Sequence, residues 1–184
     1  MAGPLGMFFL GALYLERVRG YSAIEIGLAF LPVTLAIGTL SLGFSARLTN
    51  RFGAQRVLLP ALLLIGAALA WMSRVPTDAG YVVDILPSML LLGVGAGLAF
   101  PSLMTLAMSG ATRSDSGLAS GLINTAQQMG GAFSIAIMTT LATTRTDELL
   151  ADGESNAAAL TEGYQFAFLA GAGLIAGALL VALT

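Results

Sequence analysis

The chain has 184 residues, of which 57% are hydrophobic, and it carries only eight basic and ten acidic side chains. Cysteine and histidine are absent, which excludes thiolate metal or redox sites and the usual proton shuttle at neutral pH. The formal net charge of −2 does not indicate a nucleic-acid partner. We expect no cofactor and no metal, and the composition argues against an enzyme because the apolar segments contain no paired acids and no serine beside a base.

Apolar residues fall into six uninterrupted blocks, and the charged residues lie between these blocks or at their ends. An α-helix needs ~17–25 such residues to cross a bilayer, so the blocks predict an all-α, polytopic membrane protein. Residues 1–184 would then form a single transmembrane domain embedded in the lipid bilayer. The blocks are Met1–Leu15, Ile26–Ala46, Val57–Ser73, Ile85–Thr112, Ser116–Thr144 and Gly163–Thr184.

The first predicted helix, about Pro4–Leu15, is short and starts almost at the first residue, so we expect the segment to begin upstream. Ser22 and Glu25 have the spacing of a capping box, which predicts the start of the second helix. That helix is expected to run to about Leu48. The third helix, Val57–Met72, is the most uniformly apolar of the six.

The fourth predicted helix, about Ile85–Met108, carries small or helix-bending residues at steps of four. Small residues at this spacing allow two helix backbones to approach closely, and a proline frees a carbonyl and can kink the helix. Two interpretations stay open, namely simple packing and a flexing helix that lines a translocation path. The residues at these steps are Gly93, Gly97, Pro101 and Thr105, with Gly95 and Ser102 beside them.

The fifth predicted helix, about Gly117–Thr143, has a polar face. Amides are costly in hydrocarbon unless they form hydrogen bonds, so this face must meet protein or a water-filled cavity. The face either joins helices to one another or contacts a substrate, and we take Asn124, Gln127 and Gln128 as candidate cavity residues. Its members recur at three- and four-residue steps: Gly117, Ser120, Gly121, Asn124, Gln127, Gln128, Gly131 and Ser134.

The orientation is only weakly encoded, because four arginines lie on each side of the predicted membrane. Arg47, Arg51 and Arg56 cluster in one short connection without an acid, which favours the cytoplasm for that side. Arg113, in the 111–116 connection, lies on the same side. We therefore expect a plasma-membrane protein with both termini cytoplasmic and with a long polar loop, Arg145–Glu162, outside the cell.

Three segments resemble the major facilitator superfamily, in particular its fourteen-helix drug:proton antiporters. Residues 43–56, GFSARLTNRFGAQR, are similar to the cytoplasmic signature D-R-x-G-x-x-R/K as it recurs in the C-terminal half of these transporters. Residues 14–32 resemble their Y-L-Q-x-x-x-G-Y-S…G-L-x-x-L-P segment, and residues 127–132, QQMGGA, resemble R-Q-x-G-G-A. The three segments follow the family order and cover essentially the whole chain.

The resemblance implies the C-terminal six-helix half of such a transporter, built from two inverted three-helix repeats. It implies that the first and fourth helices line the central path and that the third and sixth face lipid. It also implies a conformational role for the signature loop, although Asn50 replaces the acid of the family pattern. The loop residues concerned are Gly43, Arg47, Asn50, Arg51, Gly53 and Arg56.

Two functions follow from these observations. The first is proton-coupled efflux of hydrophobic drugs or other small molecules, in which a missing N-terminal half supplies the proton-coupling acids. The alternative is a stand-alone six-helix membrane protein with a structural or assembly role and no transport of its own. No Asp, Glu, Lys or Arg lies deep in any predicted span, so coupling by this chain alone is not expected.

Overall fold

The computed structural model describes residues 2–110, 112 and 115–183, and in this part of the chain the regular structure is six α-helices. Four of them are long and apolar enough to cross a membrane, namely α2, α3, α4 and α6. The shorter α1 has 16 residues, and α5 is less apolar because of its polar face. The helices are α1 Ala2–Arg17, α2 Ala23–Phe52, α3 Ala54–Met72, α4 Tyr81–Met108, α5 Ser116–Ala151 and α6 Asn156–Leu183.

The start of α2 confirms the predicted capping box. The backbone N–H of Ser22 donates to a carboxylate oxygen of Glu25 at 2.8 Å, and the N–H of Glu25 donates to the Ser22 hydroxyl at 3.4 Å. Two backbone N–H groups that the helix start leaves unpaired are thereby satisfied. Further along, a turn at Phe30 interrupts the α-helical pattern of α2 before Pro32, and the helix widens into a π-helical turn at Leu40–Phe44.

Several helices run beyond the limits that hydropathy predicts. The stretch Arg145–Glu162, expected to be a loop, is mostly helical, because α5 continues to Ala151 and α6 begins at Asn156. The reversal needs only a short turn, in which Gly153 adopts a φ of 90°. The expected end of α2 near Leu48 was likewise too early, since the helix reaches Phe52. A drop in hydropathy marks where lipid ends, and a helix can continue into water.

Helix pairing follows a two-fold pattern. The first helix packs on α5 and α6, and α4 packs in the same way on α2 and α3. Exchanging the first three helices with the last three maps these two sets of contacts onto each other, and the α3–α6 pair maps onto itself. The α5–α6 pair is the exception, because its counterpart, α2–α3, is in contact only near the turn that joins those two helices. Two three-helix repeats therefore build the bundle, and they run in opposite directions because each contains an odd number of helices.

The core lies where α1, α3, α4 and α6 meet. Met7, Leu10 and Tyr14 of α1 are buried there, as are Leu69 of α3 and Phe168 of α6. The third helix, expected at the lipid-facing surface, has two different sides. Its buried side packs on both α4 and α6, and its other side exposes large apolar residues.

Candidate functional site

The polar face of α5 divides into a covered and an uncovered part. Gly131 and Ser134 are buried where α5 packs on α1, and Gly131 leaves the space that the side chain of Leu5 occupies. Nearer the start of the helix, Asn124 and Gln128 are exposed and Gln127 is partly buried. The candidate amides therefore lie on the surface of this six-helix unit and not in its interior.

None of these three amide side chains forms a hydrogen bond with any described residue. Each would carry unsatisfied donors and acceptors if it faced hydrocarbon, which costs several kcal/mol per group. The exposed amides therefore need hydrogen-bond partners from water or from a further polypeptide beside this part of α5.

On α4, the small residues bring its backbone against α2. A β-carbon added to Gly93 would lie 2.9 Å from the backbone oxygen of Val33, and one added to Gly97 would lie 3.2 Å from the α-carbon of Ile37. Gly93 and Gly97 are both buried. At Gly93 and Gly97, the structure agrees with the first interpretation, simple packing, because no larger side chain fits between the two helices.

Pro101 and Ser41 together complete this interface. Proline has no N–H, so the carbonyl of Gly97, four residues earlier, lacks its helical donor. The Ser41 hydroxyl, in the π-helical turn of α2, donates to that carbonyl at 3.3 Å. The unpaired backbone group left by the proline is therefore satisfied from the neighbouring helix.

The other predicted residues of α4 lie one turn further along. Ser102 is fully buried, and its hydroxyl lies 3.4 Å from that of Thr49 on α2. The Ser45 hydroxyl, buried on α2 between Ser41 and Thr49, has no partner among the described residues. Thr105 is exposed, and its hydroxyl donates to the Pro101 carbonyl at 2.8 Å. Ser102 thus faces α2, whereas Thr105 is open to the outside.

The predicted signature loop is a hinge between two helices. Only Gly53 lies outside them, and its backbone φ is 88°. An L-residue rarely adopts this φ, whereas glycine does so without a steric cost. The other loop candidates are helical, with Gly43 in the π turn, and the candidates Arg47, Asn50, Arg51 and Arg56 are all exposed.

The three arginines of this hinge form no ion pair among the described residues. The Arg51 guanidinium lies 5.3 Å from the centre of the Phe52 ring, and this is a cation–π contact. Arg113 lies outside the described residues, as do Met1, Ala111, Ser114 and Thr184. Within the described part, no group of three or more acidic side chains has the geometry of a metal site.

Sequence reasoning missed two residues that bond from one helix to another. The Gln55 amide, directly after the hinge, donates to the backbone carbonyl of Ala182 at 2.9 Å. This carbonyl belongs to the last turn of α6, where the helix offers no N–H to pair with it. Ser41 was the second. Neither has a local sequence signal, because each bonds a carbonyl on a helix that is distant in the chain.

The hinge, the end of α4 and the start of α5 lie at one end of the bundle. The helices alternate in direction, and the Gln55–Ala182 hydrogen bond fixes the end of α6 there as well. At 1.5 Å per residue, Thr105 lies ~5 Å and Asn124 ~12 Å from the ends of their helices that adjoin the 109–115 connection. Thr105 and Asn124 therefore lie near this end of the bundle, and Gln128 lies about one helical turn further in, at ~18 Å.

This chain is similar in sequence to several bacterial resistance and export proteins. The puromycin resistance protein pur8 of Streptomyces alboniger is 32% identical over 181 residues, which are 97% of this chain and 36% of that protein. The cephamycin export protein CmcT of Amycolatopsis lactamdurans is 36% identical over 141 residues, 76% of this chain and 29% of the relative. The tetracenomycin C resistance and export protein of Streptomyces glaucescens is 32% identical over 149 residues, which are 80% of this chain and 27% of that protein.

The chain thus spans about a third of the length of these curated relatives. The pattern of the Major Facilitator Superfamily matches residues 1–135, which include the first four helices, the hinge at Gly53 and the amides of α5. The helix pairing of the bundle agrees with this match. The chain is therefore a multi-pass membrane protein that belongs to the Major Facilitator Superfamily.

Proposed function

We propose that this chain is the C-terminal six-helix portion of a fourteen-helix, proton-driven exporter of hydrophobic drugs or similar small molecules. The relatives named above are resistance and export proteins for antibiotics, and this chain matches about a third of each. In our proposal, an N-terminal half of the same transporter covers the open part of α5. The substrate cavity lies between the two halves.

The observation that carries this proposal is the exposed amide group on α5. Asn124 and Gln128 are uncovered on a helix of a membrane protein, and no described residue satisfies them. A water-filled cavity lined by amides solves this problem, since water and substrate supply the missing partners. Pro101 and Thr105 of α4 extend the proposed lining, and Ser102 supports it from the α2 side.

The coupling ion must act elsewhere in the proposed transporter. The acids closest to the described spans are at helix ends, for example Glu16, Glu25 and Asp84. Proton coupling needs a group whose charge state alters the conformational equilibrium from within the membrane. We therefore assign proton uptake to the N-terminal half and assign part of the drug cavity to this chain.

The test uses the complete reading frame that carries this chain, expressed in a host without other efflux pumps. The double variant Asn124→Leu/Gln128→Leu removes both amides, and dye efflux is followed with ethidium. At about 0.6 kcal/mol per membrane hydrogen bond, we expect efflux roughly fivefold to tenfold slower. The control is Thr125→Val, because that hydroxyl bonds only the Gly121 carbonyl of its own helix.

Three results would count against the proposal. Equal efflux by the double variant and by Thr125→Val would mean that the two amides do not line the substrate cavity. If residues 1–184 alone moved dye in proteoliposomes in a proton-dependent way, this chain would not be half of a transporter. It would instead transport by pairing with a second copy of itself. A complete reading frame that yields a well-folded membrane protein without any efflux would favour the alternative, a structural or assembly role.

A further inference from the structure

A cavity on the exposed side of α3 lies far from the hinge and from the α5 amides. It has a volume of about 490 Å³ and lies where α3 ends and α4 begins. Its lining is mostly apolar and includes one basic and one acidic residue. The lining residues are Ala67, Ala70, Trp71, Arg74, Val75 and Asp84.

The two charged residues line the same cavity without pairing. Arg74 is exposed and forms no side-chain hydrogen bond or ion pair with any described residue. One carboxylate oxygen of Asp84 accepts the backbone N–H of Gly80 at 2.7 Å, and its other oxygen has no partner in the described part. Opposite charges that face one cavity but do not meet leave room for a ligand that carries both signs.

Trp71 holds one wall of this cavity in place. Its indole N–H donates to the backbone carbonyl of Asp84 at 2.9 Å, which joins the end of α3 to the first turn of α4. Tryptophan prefers the boundary between hydrocarbon and head groups. Because the 19 residues of α3 span ~28 Å at 1.5 Å per residue, a helix of this length crosses the hydrocarbon once. Arg74 therefore lies at head-group level.

Below Arg74 and Asp84, the exposed side of α3 continues as an apolar track. Ala67 is exposed and Ala70 is partly exposed, and their small side chains leave a shallow groove. Leu63, one turn below Ala67, is 59% exposed and continues the groove towards the membrane centre. A chain of methylene groups fits such a surface, since it needs apolar contact and no hydrogen bonds.

We infer that this cavity binds a phospholipid with a phosphoethanolamine head group. The phosphate lies against the Arg74 guanidinium, which binds phosphate with charge-assisted hydrogen bonds. The ammonium donates to the free carboxylate oxygen of Asp84. One acyl chain follows Ala67 and Leu63 along the exposed side of α3.

The same geometry disfavours the other common head groups. An anionic glycerol head group offers a phosphate to Arg74 but no cation to Asp84, whose carboxylate would repel it. A choline head group carries a cation without N–H groups, so it cannot donate a hydrogen bond to the carboxylate. The inference does not depend on the proposed transport, because lipid binding is measured without a substrate.

The experiment uses Trp71, the only tryptophan of this chain, as its probe. The complete protein is purified in detergent, stripped of lipid and titrated with phospholipids whose acyl chains carry bromine, which quenches nearby indoles. The Trp71 signal is the difference between the protein and its Trp71→Phe variant. The three lipids tested have phosphoethanolamine, phosphocholine or phosphoglycerol head groups and identical chains.

We expect the phosphoethanolamine lipid to quench Trp71 at the lowest concentration. Arg74→Ala should weaken its binding about tenfold, as loss of a charge-assisted hydrogen bond predicts. Asp84→Asn should abolish the preference over phosphoglycerol, while the amide can still accept the Gly80 N–H. The control Arg145→Ala removes an exposed arginine that pairs with Glu148 and Glu162, and it should bind like the unmodified protein.

Three outcomes would overturn the inference. Equal quenching by the three lipids would mean nonspecific solvation of α3. A preference for the phosphoglycerol lipid would assign the site to an anionic lipid held by Arg74 alone. The same binding curve for Arg74→Ala and Arg145→Ala would mean that the Arg74 guanidinium does not bind the lipid.

Discussion

Gly93→Ala is the sharpest test of the contact between α2 and α4. The added β-carbon would lie 2.7 Å from the β-carbon of Ala36 and 2.9 Å from the backbone oxygen of Val33. Neither atom is the end of a flexible side chain that could turn away. The two helices must therefore separate, or α4 must rotate, to admit one methyl group.

The magnitude follows from the cost of overpacking. Forcing one extra methyl group into a close-packed site destabilises a protein by about 1–3 kcal/mol. For a unit of this size, 1 kcal/mol shifts the melting temperature by about 2–4 °C. We therefore expect Gly93→Ala to lower the Tm by roughly 2–12 °C.

The assay is thermal unfolding of the purified protein in detergent, followed by loss of the monodisperse peak in size-exclusion chromatography. The matched control is Gly177→Ala in α6, where no atom lies within 4 Å of the added carbon. Alanine is the better helix former by about 1 kcal/mol, so the control should keep or raise the Tm. An equal Tm for the two variants would refute the close approach of α2 and α4.

Three further predictions concern the hinge, the Ser41 bond and the topology. Gly53→Leu should reduce transport by the complete protein, because a φ of 88° is strained for leucine by about 1–2 kcal/mol. Ser41→Ala should lower the free energy of unfolding by about 1 kcal/mol, seen as a Tm drop of a few degrees, because the Gly97 carbonyl loses its donor. In this cysteine-free chain, Asp152→Cys should react with an impermeant reagent added to whole cells, whereas Ala54→Cys should not.

Each of these predictions has a control or a contrary result. The control Gly177→Leu places the same side chain in open space. If it reduced transport as much as Gly53→Leu does, the loss could not be assigned to backbone strain at position 53. Ser120→Ala deletes a hydroxyl that bonds its own helix at Gly117, and it should leave the Tm unchanged. Labelling at position 54 in place of 152 would reverse the proposed orientation.

Local signals in the sequence were enough to predict much of the fold. The six apolar blocks indicated six helices, and the match to the Major Facilitator Superfamily agrees with the family resemblance. Ser22 with Glu25 indicated a capping box, and the positive φ between α2 and α3 falls on a glycine, Gly53. These features depend on hydropathy, on side chains three residues apart or on the φ of one residue. Each therefore leaves a pattern that is readable within a few positions.

The same local signals failed at the helix ends. Apolar character ends near Thr144, but α5 continues to Ala151, and the predicted loop up to Glu162 contains the start of α6. Arg145 and Glu162 lie on neighbouring helices, where their side chains approach to 3.5 Å. Hydropathy records the boundary of the bilayer, whereas backbone hydrogen bonding can carry a helix beyond it.

The partners of the polar side chains were decided by the tertiary structure alone. Ser41 reaches the Gly97 carbonyl across 56 positions, and Gln55 reaches Ala182 across 127. On α5, the same polar face is covered at Ser134 and uncovered at Asn124, since α1 reaches only the first of these. A hydrogen bond to a backbone carbonyl requires no particular residue type on the accepting side. The sequence therefore shows which polar groups need a partner, and the packing of the helices determines which groups find one.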